Sequence, residues 1–275
     1  MDGMILAAGL GTRLRPLTDE TPKALITVGG VPMLERVARR LIDAGVDRLI
    51  INVHHHADQV MDFIEARGGF GVDIRISHER DRPLETGGGL AHAREHFRED
   101  GPFLLHNVDV ISDVDLAAMM AAHVAADRAG RTEGAGAEEG AGSPAVGGVA
   151  YPGVLATLAV QRREASRLLR FDDAGLQARV DTRAGAGEDT ARPVHGEAVD
   201  RAFAGIHVIS PAIFDLLDDD GSFSIIEPYL RLAGVGHRIL PYDITGSLWL
   251  EVGDPDRLEK ARRFFRRSNG NEEQQ

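Results

Sequence analysis

The stretch Met4–Leu25 has the sequence MILAAGLGTRLRPLTDETPKAL and indicates a buried strand followed by a loop that binds phosphate. Its opening apolar run has the length of a strand, and Gly9 and Gly11 end that run. Glycine lets the backbone turn tightly and leaves N–H groups free to contact phosphate oxygens. Arg13 and Lys23 add positive charge to a segment whose prolines prevent one continuous helix. The stretch therefore predicts a site for a phosphorylated ligand.

Composition narrows the class of protein. The chain has 275 residues, is 43% hydrophobic, carries a net charge of −12 and contains no cysteine. Its length and apolar content fit one α/β domain with a sizeable core. The absence of cysteine excludes disulfides and thiolate metal sites, and the acidic charge argues against a general nucleic-acid binder. No apolar run is long enough to span a membrane and no basic leader precedes the first strand, so we expect a cytoplasmic protein without membrane partners.

Strand and helix signals alternate along the chain, which predicts an α/β fold with a doubly wound, mostly parallel mixed sheet flanked by helices. We expect a single domain over residues 1–265, with one half at 1–128 and a second half, including a closing helix, at 149–265. The Gly/Ala/Glu-rich segment 130–148 lacks large apolar side chains and is predicted to be a disordered insertion. Residues 266–275 are predicted to form a flexible tail.

Several shorter elements are also predicted. Glu85–Gly89 is expected to be a Gly-rich turn before a helix that extends to Phe97. Asp173-Ala174-Gly175 is expected to join the two strands of a hairpin, and 184–192 to be a flexible loop. Asp254 is expected to cap the last helix. No hexapeptide repeat is present, so we expect no β-helix domain.

The opening stretch resembles the signature of the sugar-1-phosphate nucleotidyltransferases, in which a strand precedes G-x-G-T-R-[LM]-x-P-L-T and a later P-K pair. Every position matches, as Gly9, Gly11, Thr12, Arg13, Leu14, Pro16, Leu17, Thr18, Pro22 and Lys23. A P-loop is excluded because Gly-Lys-Ser/Thr is absent, and a dinucleotide fingerprint because Leu14 replaces its third glycine. The resemblance implies a Rossmann-like nucleotidyltransferase fold with a small sugar-binding β subregion.

The resemblance also implies the reaction, in which a sugar-phosphate oxygen attacks the α-phosphorus of a nucleoside triphosphate in line and pyrophosphate leaves. Such chemistry depends on positioning and charge neutralisation. Arg13 is expected at the β- and γ-phosphates, and Lys23 at the α-phosphate and the sugar phosphate, as catalytic residues. A solvated loop cation is the alternative for both, and a salt bridge explains Arg15 equally well.

A divalent metal, Mg²⁺, is expected from the resemblance, and hard oxygen ligands would hold it. The family carries Gly-Asp at the end of a strand, where this chain has Val108-Asp109. It carries a second Asp in a late W-x-D-[VT]-G pattern, where this chain has Glu251. Asp109 and Glu251 are therefore the expected metal ligands, with a turn cap and a structural acid as the respective alternatives.

The resemblance places the nucleoside between the opening loop and the turn at Glu85–Gly89. The expected nucleotide-binding residues are Ala8, Gly9, Gly11, Thr12, Glu85, Thr86 and Gly88. The sugar-binding residues are expected to be His54, Asn107, Gly205 and Glu227. For His54 a polar loop position, and for Glu227 the start of a helix, are the alternatives.

The ETGGG stretch in a short chain is most similar to the N-acetylmuramate-1-phosphate uridylyltransferases of cell-wall recycling. These enzymes would use UTP with an amino-sugar 1-phosphate. Mannose- or heptose-1-phosphate guanylyltransferases, transfer from dTTP to glucose 1-phosphate, transfer to a non-sugar phosphate and a catalytically silent regulatory homologue remain alternatives. We expect a nucleoside triphosphate and a sugar 1-phosphate as partners, and a monomer or homodimer.

Overall fold

A computed structural model describes residues 1–135, 151–185 and 187–272. The strands in these ranges are β1 (Asp2–Leu6), β2 (Thr27–Val28), β3 (Val31–Pro32), β4 (Arg48–Val53), β5 (Asp73–His78), β6 (Phe103–Asn107), β7 (Val110–Ser112), β8 (Val154–Gln161), β9 (Arg167–Asp172), β10 (Gly175–Asp181), β11 (Glu188–Thr190), β12 (Val199–Ile209), β13 (Arg238–Asp243) and β14 (Trp249–Glu251). The α-helices are α1 (Leu17–Glu20), α2 (Met33–Asp43), α3 (Ala57–Ala66), α4 (Glu85–His92), α5 (Leu116–Ala135), α6 (Ile213–Leu216), α7 (Ile226–Gly234) and α8 (Pro255–Glu272). Short 3₁₀ helices cover Thr12–Leu14, Lys23–Leu25, Gly68–Gly71 and Arg94–His96.

A ten-stranded sheet forms the centre of the molecule. Eight of its strands lie in the order β11-β10-β9-β12-β6-β1-β4-β5, while β8 pairs with β12 and β13 pairs with β8. The β6-β1-β4-β5 portion is parallel, and β12 joins β6 in antiparallel register. Two smaller sheets pair β14 with β7 and β2 with β3. The carboxyl ends of the parallel strands therefore share one edge of the sheet.

The central strands are mainly apolar because both faces of the sheet are covered. Along β1, Met4 packs into one core and Ile5 into the other, and the same alternation separates Ile50 from Ile51 on β4. One core includes side chains of α2 and α3, and the other includes side chains of α4 and α7. This burial fixes the register of the strands, and so the positions of the residues at their ends.

The predicted doubly wound, mixed α/β fold is confirmed, and so is the hairpin of β9 and β10. Asp254 caps α8 as predicted, since its Oδ1 accepts a hydrogen bond from the Arg257 backbone N–H at 2.9 Å. The small β subregion consists of β9, β10, β11 and the first part of β12. The proposed division into two halves stays a prediction.

Four segments differ from their predictions. Glu85–Gly89 is the first part of α4 rather than a turn. The segment 184–192 contains β11, which pairs with β10. Helix α5 continues to Ala135, so the first residues of the expected insertion are helical, and its remainder lies outside the described residues. Helix α8 extends to Glu272, through most of the expected tail.

Among the described helices, none combines the length and apolar character that a membrane crossing requires.

Candidate active site

A cavity of about 370 Å³ lies where β1, β4, β5 and β6 end, and we call it the first cavity. Doubly wound sheets bind ligands at this edge. Its lining residues come from the loop after β1, the strand ends, the start of α4 and the segment before α7: Leu6, Ala8, Gly9, Lys23, Asn52, Glu79, Pro83, Glu85, Thr86, Asn107, Val108, Asp109 and Ser224.

The loop after β1 has the tight geometry that its glycines predicted. Gly11 has φ of +63°, and a Cβ there would lie 2.8 Å from the Thr18 side chain. Thr18 Oγ1 in turn donates a hydrogen bond to the Gly11 carbonyl oxygen at 2.9 Å. A Cβ on Gly9 would meet nothing within 4 Å, so the backbone at Gly9 is open towards the first cavity that it lines. Gly11 and the exposed Thr12 shape the loop without lining that cavity.

Lys23 and Asp109 meet in the first cavity, where the Lys23 ammonium donates a hydrogen bond to Asp109 Oδ2. Their side chains are only 11% and 19% exposed. Lys23 begins the short helix after Pro22, and Asp109 lies in the turn between β6 and β7. The arrangement holds one cation and one carboxylate beside the Gly9 backbone. Arg15 lies outside the cavity and pairs with Asp19 at 3.1 Å.

Glu251 approaches Asp109 through the pairing of β14 with β7. Glu251 is opposite Val110, and the next backbone N–H, of Val252, donates to the Asp109 carbonyl oxygen at 2.8 Å. A Cβ on Gly253 would lie 3.1 Å from an Arg13 guanidinium nitrogen and 3.3 Å from Glu251 Oε1. The side chains of Arg13 and Glu251 therefore lie side by side over Gly253.

Both carboxylates already have cationic partners, because Asp109 contacts Lys23 and Glu251 contacts Arg257. The described residues contain no group of three or more His, Asp or Glu side chains that could hold a metal ion. Two carboxylates nevertheless fit Mg²⁺, which proteins often bind through one or two carboxylates together with substrate phosphates. Asp109 and Glu251 have the required chemistry, and their backbones are neighbours where β14 pairs with β7, while Glu251 lies outside the lining of the first cavity.

Asn52 and Glu79 line the first cavity and did not emerge from the sequence. Their side chains are 1% and 2% exposed, and Asn52 Nδ2 donates a hydrogen bond to Glu79 Oε1 at 2.6 Å. In the sequence, the feature that could have indicated this pair is the asparagine inside the apolar run of β4. Buried polar side chains need hydrogen-bond partners, so a bonded pair of this kind indicates an organised site.

Two of the predicted ligand contacts, His54 and Gly88, lie outside the lining of the first cavity, whereas Thr86 belongs to it. His54 does not line the first cavity, and its Nδ1 faces the Glu79 carbonyl oxygen at 2.6 Å. Gly88 lies behind the cavity wall, where a Cβ would be 2.1 Å from the Gly221 carbonyl oxygen. Thr86 reaches the wall, but its Oγ1 already accepts a hydrogen bond from the Ile225 N–H at 3.0 Å. The glycines of ETGGG thus allow close packing of α4 against the segment before α7.

Asn107 and Gly205 lie against each other in the structure. Gly205 has φ of +75°, and a Cβ there would lie 2.7 Å from Asn107 Nδ2. The Asn107 Oδ1 atom is buried and has no hydrogen-bond partner within the described residues. Only a glycine at this point of β12 leaves room for the amide that lines the first cavity.

A second cavity, of about 470 Å³, adjoins the first and shares Glu85 and Ser224 with it. Its other lining residues come mainly from the β9–β11 subregion and the start of α7: Arg167, Arg179, Asp181, Gly187, Glu188, Asp189 and Glu227. Arg179 pairs with Asp189, whereas the Arg167 side chain makes no hydrogen bond or ion pair within the described ranges. A hydrogen bond from Arg183 and, more weakly, the charge of Arg167 lower the pKa of Asp181.

Comparison with known proteins agrees with this architecture. A family described as nucleotidyl transferase matches residues 2–142. The chain is 34% identical over 258 residues to the N-acetylmuramate alpha-1-phosphate uridylyltransferase of Caulobacter vibrioides, covering 92% of this chain and 91% of that protein. It is 29% identical to the mannose-1-phosphate guanyltransferase of Yarrowia lipolytica, covering 93% of this chain and 61% of that protein.

Solved structures show the same fold. HddC from Yersinia pseudotuberculosis complexed with GMP-PN has a TM-score of 0.67 at 20% identity, covering 96% of this chain and 99% of that one. The inositol-1-phosphate CTP transferase from T. maritima has a TM-score of 0.65 at 16% identity, covering 96% and 94% of the two chains. The resemblance carried by Gly9 to Lys23 is confirmed by the family match and the relatives. The chain belongs to the nucleotidyl transferase family.

Proposed function

We propose that this enzyme transfers a uridylyl group from UTP to N-acetylmuramate 1-phosphate and releases pyrophosphate. The observation that carries the reaction class is the meeting of Lys23 and Asp109 beside the Gly9 backbone, at the strand ends where this fold binds ligands. The relative from Caulobacter vibrioides, similar over nine-tenths of both chains, supports this pair of substrates.

Lys23 and Asp109 in the first cavity, together with Arg13 outside its lining, have simple roles in this reaction. A sugar-phosphate oxygen forms the new bond to the α-phosphorus while the bond to pyrophosphate breaks. Lys23 exchanges Asp109 for phosphate oxygens and neutralises the α-phosphate and the incoming phosphate. Arg13 stabilises the negative charge on the leaving pyrophosphate. Because the attacking phosphate is already ionised at neutral pH, the reaction needs no general base.

Asp109 and Glu251 would hold Mg²⁺, which supplies positive charge to the phosphate oxygens when it is bound. The nucleoside would lie against Ala8, Gly9, Glu85 and Thr86, which line the first cavity. The sugar would extend from Asn107 towards Glu227 in the second cavity. His54 takes no part in this arrangement because it lies outside both linings.

Arg167 supports an acidic sugar as acceptor. N-acetylmuramate carries a carboxylate, and Arg167 contributes a guanidinium without an ion pair among the described residues to the cavity beside the nucleotide site. Arginine binds carboxylates with two parallel hydrogen bonds. Transfer from GTP to mannose 1-phosphate is the second candidate, favoured by the relative from Yarrowia lipolytica.

A pyrophosphate-release assay with Mg²⁺ tests the proposal, using UTP, GTP, dTTP and CTP against N-acetylmuramate, glucose, N-acetylglucosamine and mannose 1-phosphates. We expect UTP with N-acetylmuramate 1-phosphate to exceed every other pair by at least about tenfold in kcat/KM, since specificity is a difference in transition-state binding. A preference for GTP and mannose 1-phosphate would establish the second candidate. No turnover with any pair, from protein that is folded, would indicate a silent homologue.

A further inference from the structure

A buried polar link joins two walls of the first cavity. Asn52 Oδ1 accepts a hydrogen bond from the Ala7 backbone N–H at 2.6 Å, and Asn52 Nδ2 donates one to Glu79 Oε1 at 2.6 Å. Glu79 Oε2 accepts a third from the Leu84 backbone N–H at 2.8 Å. The chain of three hydrogen bonds runs from the residue before Ala8 to the residue before Glu85.

Both ends of this link adjoin the cavity lining directly. Ala8 and Gly9 form the wall that follows β1, and Glu85 and Thr86 form the wall at the start of α4. Neither Ala7 N–H nor Leu84 N–H belongs to the pairing of the central strands or to the backbone bonds of α4. The link is therefore what ties these two backbone groups to each other across the sheet edge.

Gly89 of α4 packs against the link between Asn52 and Glu79 and constrains it independently. A Cβ at this position of α4 would lie 2.8 Å from Asn52 Nδ2 and 2.8 Å from Glu79 Oε1, so it would separate the two atoms that form the central hydrogen bond. Both side chains are almost completely buried, which makes an unpaired donor or acceptor there costly. The backbone of α4 thus approaches closely enough to hold the link in one arrangement.

We propose that Asn52 is a positioning residue that, through Glu79, sets the separation of the two walls between which the nucleotide binds. The inference rests on the proposed function only for its kinetic readout. Asn52 touches no reacting atom in this scheme, and it acts by fixing where Ala8 and Glu85 lie. A misplacement of about 1 Å in such a wall can lower the rate on the order of 10²-fold.

The link can be broken and rebuilt by exchanging its donor and acceptor. Asn52→Asp places two carboxylates against each other and removes the donor, whereas the Ala7 N–H keeps its acceptor. In Glu79→Gln, the new amide NH₂ group faces either Asn52 Nδ2 or the Leu84 N–H. Two donors then face each other, so one hydrogen bond is lost. The double variant, which combines Asn52→Asp with Glu79→Gln, restores all three bonds. In it the new glutamine amide donates to the new aspartate carboxylate, and its carbonyl oxygen accepts from the Leu84 N–H.

Amide hydrogen exchange and steady-state kinetics on the full chain test this scheme. In Asn52→Asp we expect faster exchange at Leu84, a rise in KM for the nucleotide on the order of 10-fold to 10²-fold and little change in KM for the sugar 1-phosphate. Its activity should recover as the pH falls, since two carboxylates that share a site bind a proton more readily. The double variant is the reference for the pH profile. It retains His54, which faces the Glu79 carbonyl oxygen, so any effect of that histidine is common to both variants.

The double variant distinguishes a positioning role of Asn52 from a purely stabilising one. Recovery of slow exchange and of the nucleotide KM supports the proposal, and a double variant as impaired as Asn52→Asp overturns it. Gln177→Glu and Glu35→Gln, which alter buried polar groups outside both cavities, are the matched controls and should lower the thermal midpoint without changing either KM. If the parent protein turns over no substrate pair, the proposed function fails, while the exchange rates at Ala7 and Leu84 still test the link.

Discussion

The first cavity is built on the ends of buried strands, whereas the second is built on the surface of a small subregion held by ion pairs. In the first, Asn52 and Glu79 are almost completely buried and Lys23 and Asp109 nearly so. In the second, the side chains of Arg179 and Asp189 are 29% and 59% exposed. Exposed ion pairs contribute little to stability and can be exchanged at small cost. We therefore propose that the first cavity, the rigid side, determines the reaction and that the second cavity, the exchangeable side, determines the acceptor.

Asp109→Asn is expected to have the largest effect because it removes one of the two proposed metal ligands. We expect kcat to fall on the order of 10³-fold or more, with the fold intact, as for other groups that organise charge in a transition state. Steady-state kinetics and the thermal midpoint check this. Asp115→Asn is the control, since its Oδ1 caps α5 at the Ala118 N–H and asparagine caps a helix equally well. Near-normal activity of Asp109→Asn would remove Asp109 from the reaction.

Lys23→Met should lower kcat on the order of 10²-fold, because the charge that faces the phosphates is lost from a nearly buried position. Arg15→Ala is the matched comparison on the same loop. Arg15 and Asp19 form an exposed pair, so its loss should change kcat by less than about twofold. Equal effects of the two substitutions would mean that the loop acts through its net charge and not through one placed cation.

Only some parts of the first cavity could be predicted from the sequence. The first strand, the glycine loop and the carboxylate after β6 follow from local patterns that burial enforces. By contrast, the helical state of Glu85–Gly89 could not be predicted, because glycine disfavours helices. Glycines occur in this helix because its backbone approaches Gly221 and Glu79 too closely for larger side chains. Contacts such as His54 with the Glu79 carbonyl depend on side-chain direction, which strand pairing determines only once the fold is complete.

On the exchangeable side, Arg167→Ala should lower kcat/KM for N-acetylmuramate 1-phosphate by about tenfold, the usual scale for one charge-assisted contact. The value for an uncharged sugar 1-phosphate should change by less than about twofold, because no carboxylate is lost. Arg162→Ala, an exposed arginine outside both cavities, is the control. Equal losses for acidic and neutral sugars would show that Arg167 does not select the acceptor.

The seam between the two regions should be sensitive to mild acid. Strands β6 and β12 pair there, and burial lowers the pKa of His106 to about 4 and that of His207 to about 3, from an ordinary value of 6.5. Below pH 6.5 these two histidines bind protons in the unfolded chain but stay neutral in the folded protein. Stability therefore falls as the pH drops from 6.5 towards 4, by about 1.4 kcal/mol per pH unit for each histidine.

His207→Gln isolates this term, since glutamine can still bond the Tyr229 hydroxyl that lies 3.1 Å from the His207 Nδ1 atom. Urea denaturation across that pH range should show a slope of stability against pH that is lower by one proton than in the parent chain. His92→Gln, on the exposed face of α4, should leave the slope unchanged. An unchanged slope in His207→Gln would mean that the ring is protonated in the folded protein, and would place the acid-sensitive contact away from the seam.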